Sequence, residues 1–233
     1  MSEPLVLLPG MGCSAALWSR LELGVAPLIP LLEEPSLDAE VERLLALLPD
    51  RFALAGLSLG AIVAMAVVRR APQRVTRLCL MSTNPHGPTT AQRTAWAKQR
   101  ATLASAGARL LQTALLPVLL APRVVEQQPD LVQTTLDMAD EVGEARYDRQ
   151  LRLQATRIDE RPGLTGVACP TLVLAAHQDR LCSLARHEEI AALVPDAELV
   201  VLQDCAHLSP LEQPAAVATH LRRWLSPAPR VCT

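Results

Sequence analysis

Gly56-Leu57-Ser58-Leu59-Gly60 joins two apolar runs of opposite character. Before it, Arg51-Phe52-Ala53-Leu54-Ala55 is short and strand-like; after it, Ala61-Ile62-Val63-Ala64-Met65-Ala66-Val67-Val68-Arg69-Arg70 is long enough for a buried helix. A G-x-S-x-G between strand and helix is a nucleophile elbow, a sharp turn that lifts one serine out of the sheet. The glycines are needed because strand and helix approach too closely there for side chains. A serine hydroxyl is a weak nucleophile until a histidine takes its proton, and a carboxylate must hold that histidine in the right tautomer. At an elbow of this kind the partners follow in the order acid, then histidine. Asp179, in His177-Gln178-Asp179-Arg180, and His207, in Gln203-Asp204-Cys205-Ala206-His207-Leu208-Ser209-Pro210, meet that order. Asp204 competes as the acid but sits so near His207 that shaping its loop is the better role. The chemistry implied is acyl transfer, whose oxyanion needs two backbone N–H donors. Leu59, directly after the nucleophile, and Met11, in Pro9-Gly10-Met11-Gly12, are the candidates.

These residues need a scaffold that brings strand ends to one edge. Leu5-Val6-Leu7-Leu8 is an apolar run stopped by Pro9-Gly10, as in a buried parallel strand. Ala26-Pro27-Leu28-Ile29-Pro30 reads as a second short strand, weakened by its prolines. Leu37 to Leu48 has helical spacing, with Ser36 or Asp38 as N-cap and Pro49 at the stop. Arg74 to Met81 reads as the strand after the elbow helix. Alternation resumes with Thr171–Ala175, a helix from Ser183 to Leu193, the strand Glu198–Leu202 and a helix from Pro214 to Trp224. The order predicts an α/β fold: a mostly parallel sheet with helices on both faces. Between about Asn84 and Gly166 the rhythm breaks into polar-helical sequence, which Pro117, Pro122, Pro129 and Pro162 are expected to cut into several helices. The expected organisation is a sheet domain of residues 1–83 and 167–233 with a helical cap, 84–166, inserted in it.

Composition narrows the function. Half of the 233 residues are hydrophobic, enough for a large core, and the net charge of −2 with pI near 6.2 argues against nucleic acid or an anionic membrane as partner. Only 2% of residues are aromatic, so a pocket must be walled mainly by Leu, Val, Ala and Met. The six cysteines, Cys13, Cys79, Cys169, Cys182, Cys205 and Cys232, show no metal spacing and fit reduced thiols of a cytoplasmic protein. Met1-Ser2-Glu3-Pro4 has no basic leader and no apolar run suggests a membrane span, so neither is expected. No metal or organic cofactor is implied, and oligomeric state is not legible.

Longer stretches carry a resemblance. Leu7-Leu8-Pro9-Gly10-Met11-Gly12 with Trp18 downstream looks like the oxyanion loop of the α/β-hydrolase superfamily. Ala71-Pro72-Gln73-Arg74-Val75 through Ser82-Thr83 resembles its exit from the elbow helix into the next strand. Cys169-Pro170-Thr171-Leu172-Val173-Leu174 with Asp179, then His207-Leu208-Ser209-Pro210-Leu211-Glu212-Gln213-Pro214, is similar to its acid and histidine segments. The resemblance covers nearly all of the chain except the cap. It is closest to small single-domain carboxylesterases, a group that includes enol-lactonase-like and carrier-protein methyl-esterase-like enzymes. It implies an α/β-hydrolase fold lacking the usual first two strands, and an esterase mechanism on Ser58, Asp179 and His207. One departure is Pro9-Gly10 where the family usually has His-Gly.

The expected function is hydrolysis of a small-molecule carboxylic ester through an acyl-enzyme on Ser58. The same triad serves C–C bond hydrolysis, lyase chemistry and enol-lactone opening in related families. A small-ligand receptor with weak residual hydrolysis is a further alternative. Trp96, Met138 and Arg157 are the substrate-binding candidates from the cap. Arg93, Arg100, Arg109 and Arg157 otherwise read as a solvated face, with one of them available to a substrate carboxylate. His177, His187 and His220 read as loop or helix-surface residues, and Cys13 and Cys205 as small buried hydrophobes.

Overall fold

The computed structural model describes residues 3–226. Five strands, β1 (Leu5–Leu8), β2 (Phe52–Leu57), β3 (Val75–Met81), β4 (Thr171–Ala176) and β5 (Glu198–Leu202), form one sheet in that spatial order, parallel throughout. Side chains alternate between the faces of a strand, and in β1, β2 and β4 both faces are buried, which is why these strands read as unbroken apolar runs, while the edge strand β5 is only partly covered. Val6, Leu8, Leu54, Leu78, Leu80 and Val173 point to one core, shared with α1 (Leu37–Leu47), α2 (Leu59–Arg70) and α7 (Leu184–Leu193). Leu5, Leu7, Ala55, Met81, Leu172 and Leu174 point to the other, closed by α8 (Pro214–Leu225) and a 3-10 turn at Ala15–Trp18. The connections through α1, α2 and α7 each advance one strand in the same direction, so these three helices share a face. All five strands therefore end, at their carboxyl termini, on one edge.

Ala26–Pro30 does not form a strand. Only Leu28 pairs, in a single parallel bridge to Val6, with Leu28 N–H donating to Leu5 O and Leu7 N–H to Leu28 O. Prolines on both sides lack the N–H that would extend the ladder.

Between β3 and β4 lie α3 (Thr90–Leu119), α4 (Pro122–Gln127), α5 (Pro129–Thr156) and α6 (Arg161–Leu164). Pro122, Pro129 and Pro162 sit at helix starts, where a missing N–H costs nothing. Pro117 does not end a helix; it rides in the last turn of α3. The breaks fall at Gly107 (φ 83°) and Gly143 (φ 73°), which bend α3 and α5 in a backbone region that side-chain-bearing residues avoid. By length and hydropathy α3 is long and apolar enough to cross a membrane. In the fold, Leu103, Ala108 and Leu111 instead pack against Ala139, Val142, Tyr147 and Leu151 of α5. A forked ion pair anchors this region to the elbow helix: Arg69 Nε and Nη2 lie 2.8 and 3.2 Å from the Glu160 carboxylate.

Candidate active site

Ser58 caps α2 with φ 55° and ψ −113°, a conformation L residues rarely adopt and functional sites often store. Four hydrogen bonds hold it there. Its N–H donates to Met81 O at 2.9 Å, and its carbonyl accepts from the N–H groups of Ala61 and Ile62 and from Thr83 Oγ1. A side chain on Gly60 would drive into the Leu8 backbone, and one on Gly56 into Gly60, so the elbow closes only with glycine at both positions.

Asp179 and His207 follow β4 and β5. His177 N–H donates to Leu202 O and Gln178 N–H to Cys205 O, both at 2.9 Å, so backbone bonds join the acid loop to the histidine loop. Asp179 Oδ2 then lies 2.8 Å from His207 Nδ1, with both side chains buried. Its Oδ1 accepts from Leu181 N–H at 2.8 Å and Cys182 N–H at 2.9 Å. Burial pushes the carboxyl pKa up, but the imidazole and the two N–H donors outweigh it and hold Asp179 below the usual carboxylate range. The carboxylate fixes the imidazole with Nδ1 as donor and Nε2 free to accept. Asp204 is exposed, and its backbone carbonyl takes the Arg123 guanidinium at 2.7 Å; it serves the loop. Glu212 braces the histidine loop from below, accepting from Ala206 and Ala121 N–H groups.

Ser58 and His207 line one cavity of about 240 Å³. No hydrogen bond yet joins Ser58 Oγ to His207, a looseness common in unliganded catalytic pairs. Among the described residues no acceptor is recorded for the Met11 or Leu59 N–H groups, and Met11 lines the same cavity as Ser58. The Met11 loop is clamped by α3 and α5: Gly12 N–H donates to Gln150 Oε1 at 2.9 Å, and Gly12 lacks the side chain that would strike Tyr147. Tyr147 in turn donates to Gln112 Oε1 at 2.7 Å.

Trp96 and Arg157 line the cavity; Met138 does not. Met138 is wholly buried in the core beneath the sheet, because its face of α5 packs inward rather than over the site. Arg157 is buried, not part of a solvated face. Unforeseen lining residues are Gln92, Gln99, Gln112, Tyr147, Gln154 and Cys182. Helical glutamines carry no motif, so nothing local marked them. His187 is not a loop or helix-surface residue: it is fully buried, accepting from Thr83 N–H at 3.0 Å and bonded through Nδ1 to Ser183 O. It thus backs the threonine that holds the Ser58 carbonyl. Cys13 is a buried thiol pushed up to about 12 by desolvation, in keeping with a hydrophobe.

Asp179, Cys182 and His207 place ligand atoms within 4.8 Å of one another. The set suits a hydrogen-bonded pair better than a metal cage. Both Asp179 oxygens are already engaged, and burial drives the Cys182 thiol far up, away from the thiolate a metal prefers.

The chain is 30% identical over 92% of its length to the pimeloyl-[acyl-carrier protein] methyl ester esterase of Aromatoleum aromaticum, covering 95% of that protein. Its fold matches the enol-lactonase of Burkholderia xenovorans with a TM-score of 0.85 at 20% identity, over 97% of this chain and 92% of that one. A thermophilic esterase of Thermogutta terrifontis matches with a TM-score of 0.81 at 22% identity, over 97% and 90%. The model of the alpha/beta hydrolase family matches residues 5–220, the span from the first strand into the helix Pro214–Leu225. With that span and the elbow geometry in agreement, the chain belongs to the alpha/beta hydrolase family.

Proposed function

We propose that the protein hydrolyses a carboxylic ester of a small molecule through an acyl-enzyme on Ser58. The carrying observation is the buried Asp179–His207 pair, 2.8 Å apart, opening onto the cavity that Ser58 also lines. The methyl ester esterase relative supports an ester as substrate. His207 Nε2 takes the Ser58 proton as Oγ attacks the ester carbonyl, and Asp179 stabilises the resulting imidazolium. The Met11 and Leu59 N–H groups receive the negative charge on the carbonyl oxygen. The alcohol leaves with the proton from His207, and water then cleaves the acyl-enzyme by the same steps in reverse.

The test pairs wild type with Ser58→Ala, using a fluorophosphonate probe and 4-nitrophenyl esters of increasing acyl length. Wild type is expected to label and turn over, and the variant to do neither, with kcat down by at least about 10³-fold. Undiminished turnover in Ser58→Ala would sink the proposal.

A further inference from the structure

Arg157 ends α5 and is only 6% exposed, in the wall of the cavity that holds Ser58 and His207. An arginine cannot shed its charge, so burying one is costly unless something neutralises it. Among the described residues nothing does. Nη1 donates to Gln154 Oε1 at 3.3 Å and Nη2 to Gln92 Oε1 at 3.1 Å, both neutral amides. The guanidinium carbon stands 5.2 Å from the centre of the Trp96 ring, and Nε is buried with no hydrogen-bond partner. Of the other arginines on α3 and α5, all but the exposed Arg93, which meets the Ala155 carbonyl, have a carboxylate partner. Arg100 pairs with Asp148, Arg109 with Asp137 and Asp140, and Arg146 and Arg149 with Glu33. Those side chains are more exposed and have carboxylates; the buried one facing the cavity has none. Burial, joined by the nearby Arg93 charge, presses the Arg157 pKa below the ordinary arginine value, the direction expected of an uncompensated cation.

We infer that Arg157 is an anion subsite and that the substrate is an ester bearing a carboxylate, which Arg157 receives while Ser58 attacks the ester carbonyl. Gln92 and Gln154 fix the guanidinium plane, and Trp96 backs it. Each Nη keeps a second N–H, and two such groups match the two oxygens of a carboxylate. The bound anion neutralises the cation and raises affinity for charged esters over neutral ones of equal size. The substrate class rests on the esterase proposal; the subsite itself does not.

Two ester pairs test this, each differing only by a methyl cap on the carboxylate. One places the charge on the acyl side, 4-nitrophenyl hydrogen glutarate against methyl 4-nitrophenyl glutarate. The other places it on the alcohol side, 4-acetoxybutanoate against its methyl ester, followed by acetate release. In one pair wild type is expected to favour the anion by about 10²-fold in kcat/KM, about 2.8 kcal/mol at 1.4 kcal/mol per tenfold. Arg157→Gln should lose that preference and Arg157→Lys keep part of it. Glutarate should bind Ser58→Ala but not the Ser58→Ala/Arg157→Gln double variant. Equal turnover of charged and capped esters in both pairs, or a preference that survives Arg157→Gln, overturns the inference. Glutarate binding that needs Arg157, in a protein that cleaves no ester, keeps the subsite and sinks the esterase proposal. If Arg157→Gln does not fold, thermal unfolding of wild type decides: glutarate should raise Tm and glutaramide should not, and equal shifts overturn the inference.

Discussion

Replacing Asp179 with Asn isolates the charge behind His207 while keeping the shape of its loop. The Asn carbonyl oxygen can still accept from Leu181 and Cys182, whose N–H groups lie 2.8 and 2.9 Å from Oδ1. Its NH₂ must then face His207 Nδ1, where Oδ2 stands at 2.8 Å in the native protein. Two donors cannot share that line, so the imidazole turns to the tautomer whose Nε2 carries hydrogen and cannot accept from Ser58. The imidazolium that forms during attack also loses its counter-charge. At 2.8 Å and an effective dielectric of about 20, that attraction is worth about 6 kcal/mol. Spent fully on the barrier, it corresponds to about four powers of ten in kcat at 1.36 kcal/mol each. Folding should also weaken, because the interactions that hold Asp179 below the usual carboxylate range stabilise its buried charge by more than its desolvation costs. The assay is kcat on the best 4-nitrophenyl ester together with the urea midpoint, so that lost activity is not mistaken for lost fold. A kcat within tenfold of wild type in a folded Asp179→Asn protein would refute the assignment of Asp179 as the orienting acid.

Two further outcomes follow from the packing around Ser58. Gly60→Ala should cost about 3 kcal/mol or more, since the new Cβ meets backbone atoms of Leu8 and Pro9 that cannot step aside. In a chain of this size that is a drop of roughly 6–12 °C in Tm, and a loss under 2 °C would mean that the elbow is looser than described. His187, whose pKa burial holds below its ordinary value, must stay neutral to accept from Thr83. The unfolded chain takes up that proton near pH 6.5 while the native state resists it, so stability is full above about 6.5 and declines as pH falls below it. The slope from this one group reaches at most about 1.4 kcal/mol per pH unit. Urea midpoints from pH 7.5 to 5 should show it in wild type and not in His187→Gln; parallel curves would remove the histidine from the network.

What could be read from the sequence was chemistry confined to short contiguous segments. The elbow at Gly56–Gly60 is legible because strand, turn and helix are adjacent in the chain, and steric exclusion at Gly60 involves a strand that any parallel arrangement places beside it. Asp179 and His207 are legible for a related reason. Each follows a recognisable strand, and parallel strands deliver such residues to a common edge. The walls of the cavity obey no such rule. Gly12 N–H meets Gln150 Oε1 across 138 residues of chain, and that contact depends on where Gly107 and Gly143 bend α3 and α5. Pro122, Pro129 and Pro162 mark helix starts as the sequence predicts, but Pro117 rides within the last turn of α3, and two glycines at positive φ make the bends. The rotation set by those bends decides which side chains of α5 face inward. Met138 turns to the core, while Tyr147, Gln154 and Arg157 turn to the cavity. His187 departs from its surface reading for a similar reason, since a histidine among Arg186, Glu188 and Glu189 reads as exposed until the Thr83 N–H it accepts from is placed. The proposed chemistry therefore sits in turns with little steric freedom, whereas the cavity wall depends on helix rotation, where a one-residue slip would exchange Arg157 for its exposed neighbour Ile158. If the esterase proposal holds, that division makes Arg157, rather than Ser58, Asp179 or His207, the position whose substitution should shift the preference between charged and capped esters.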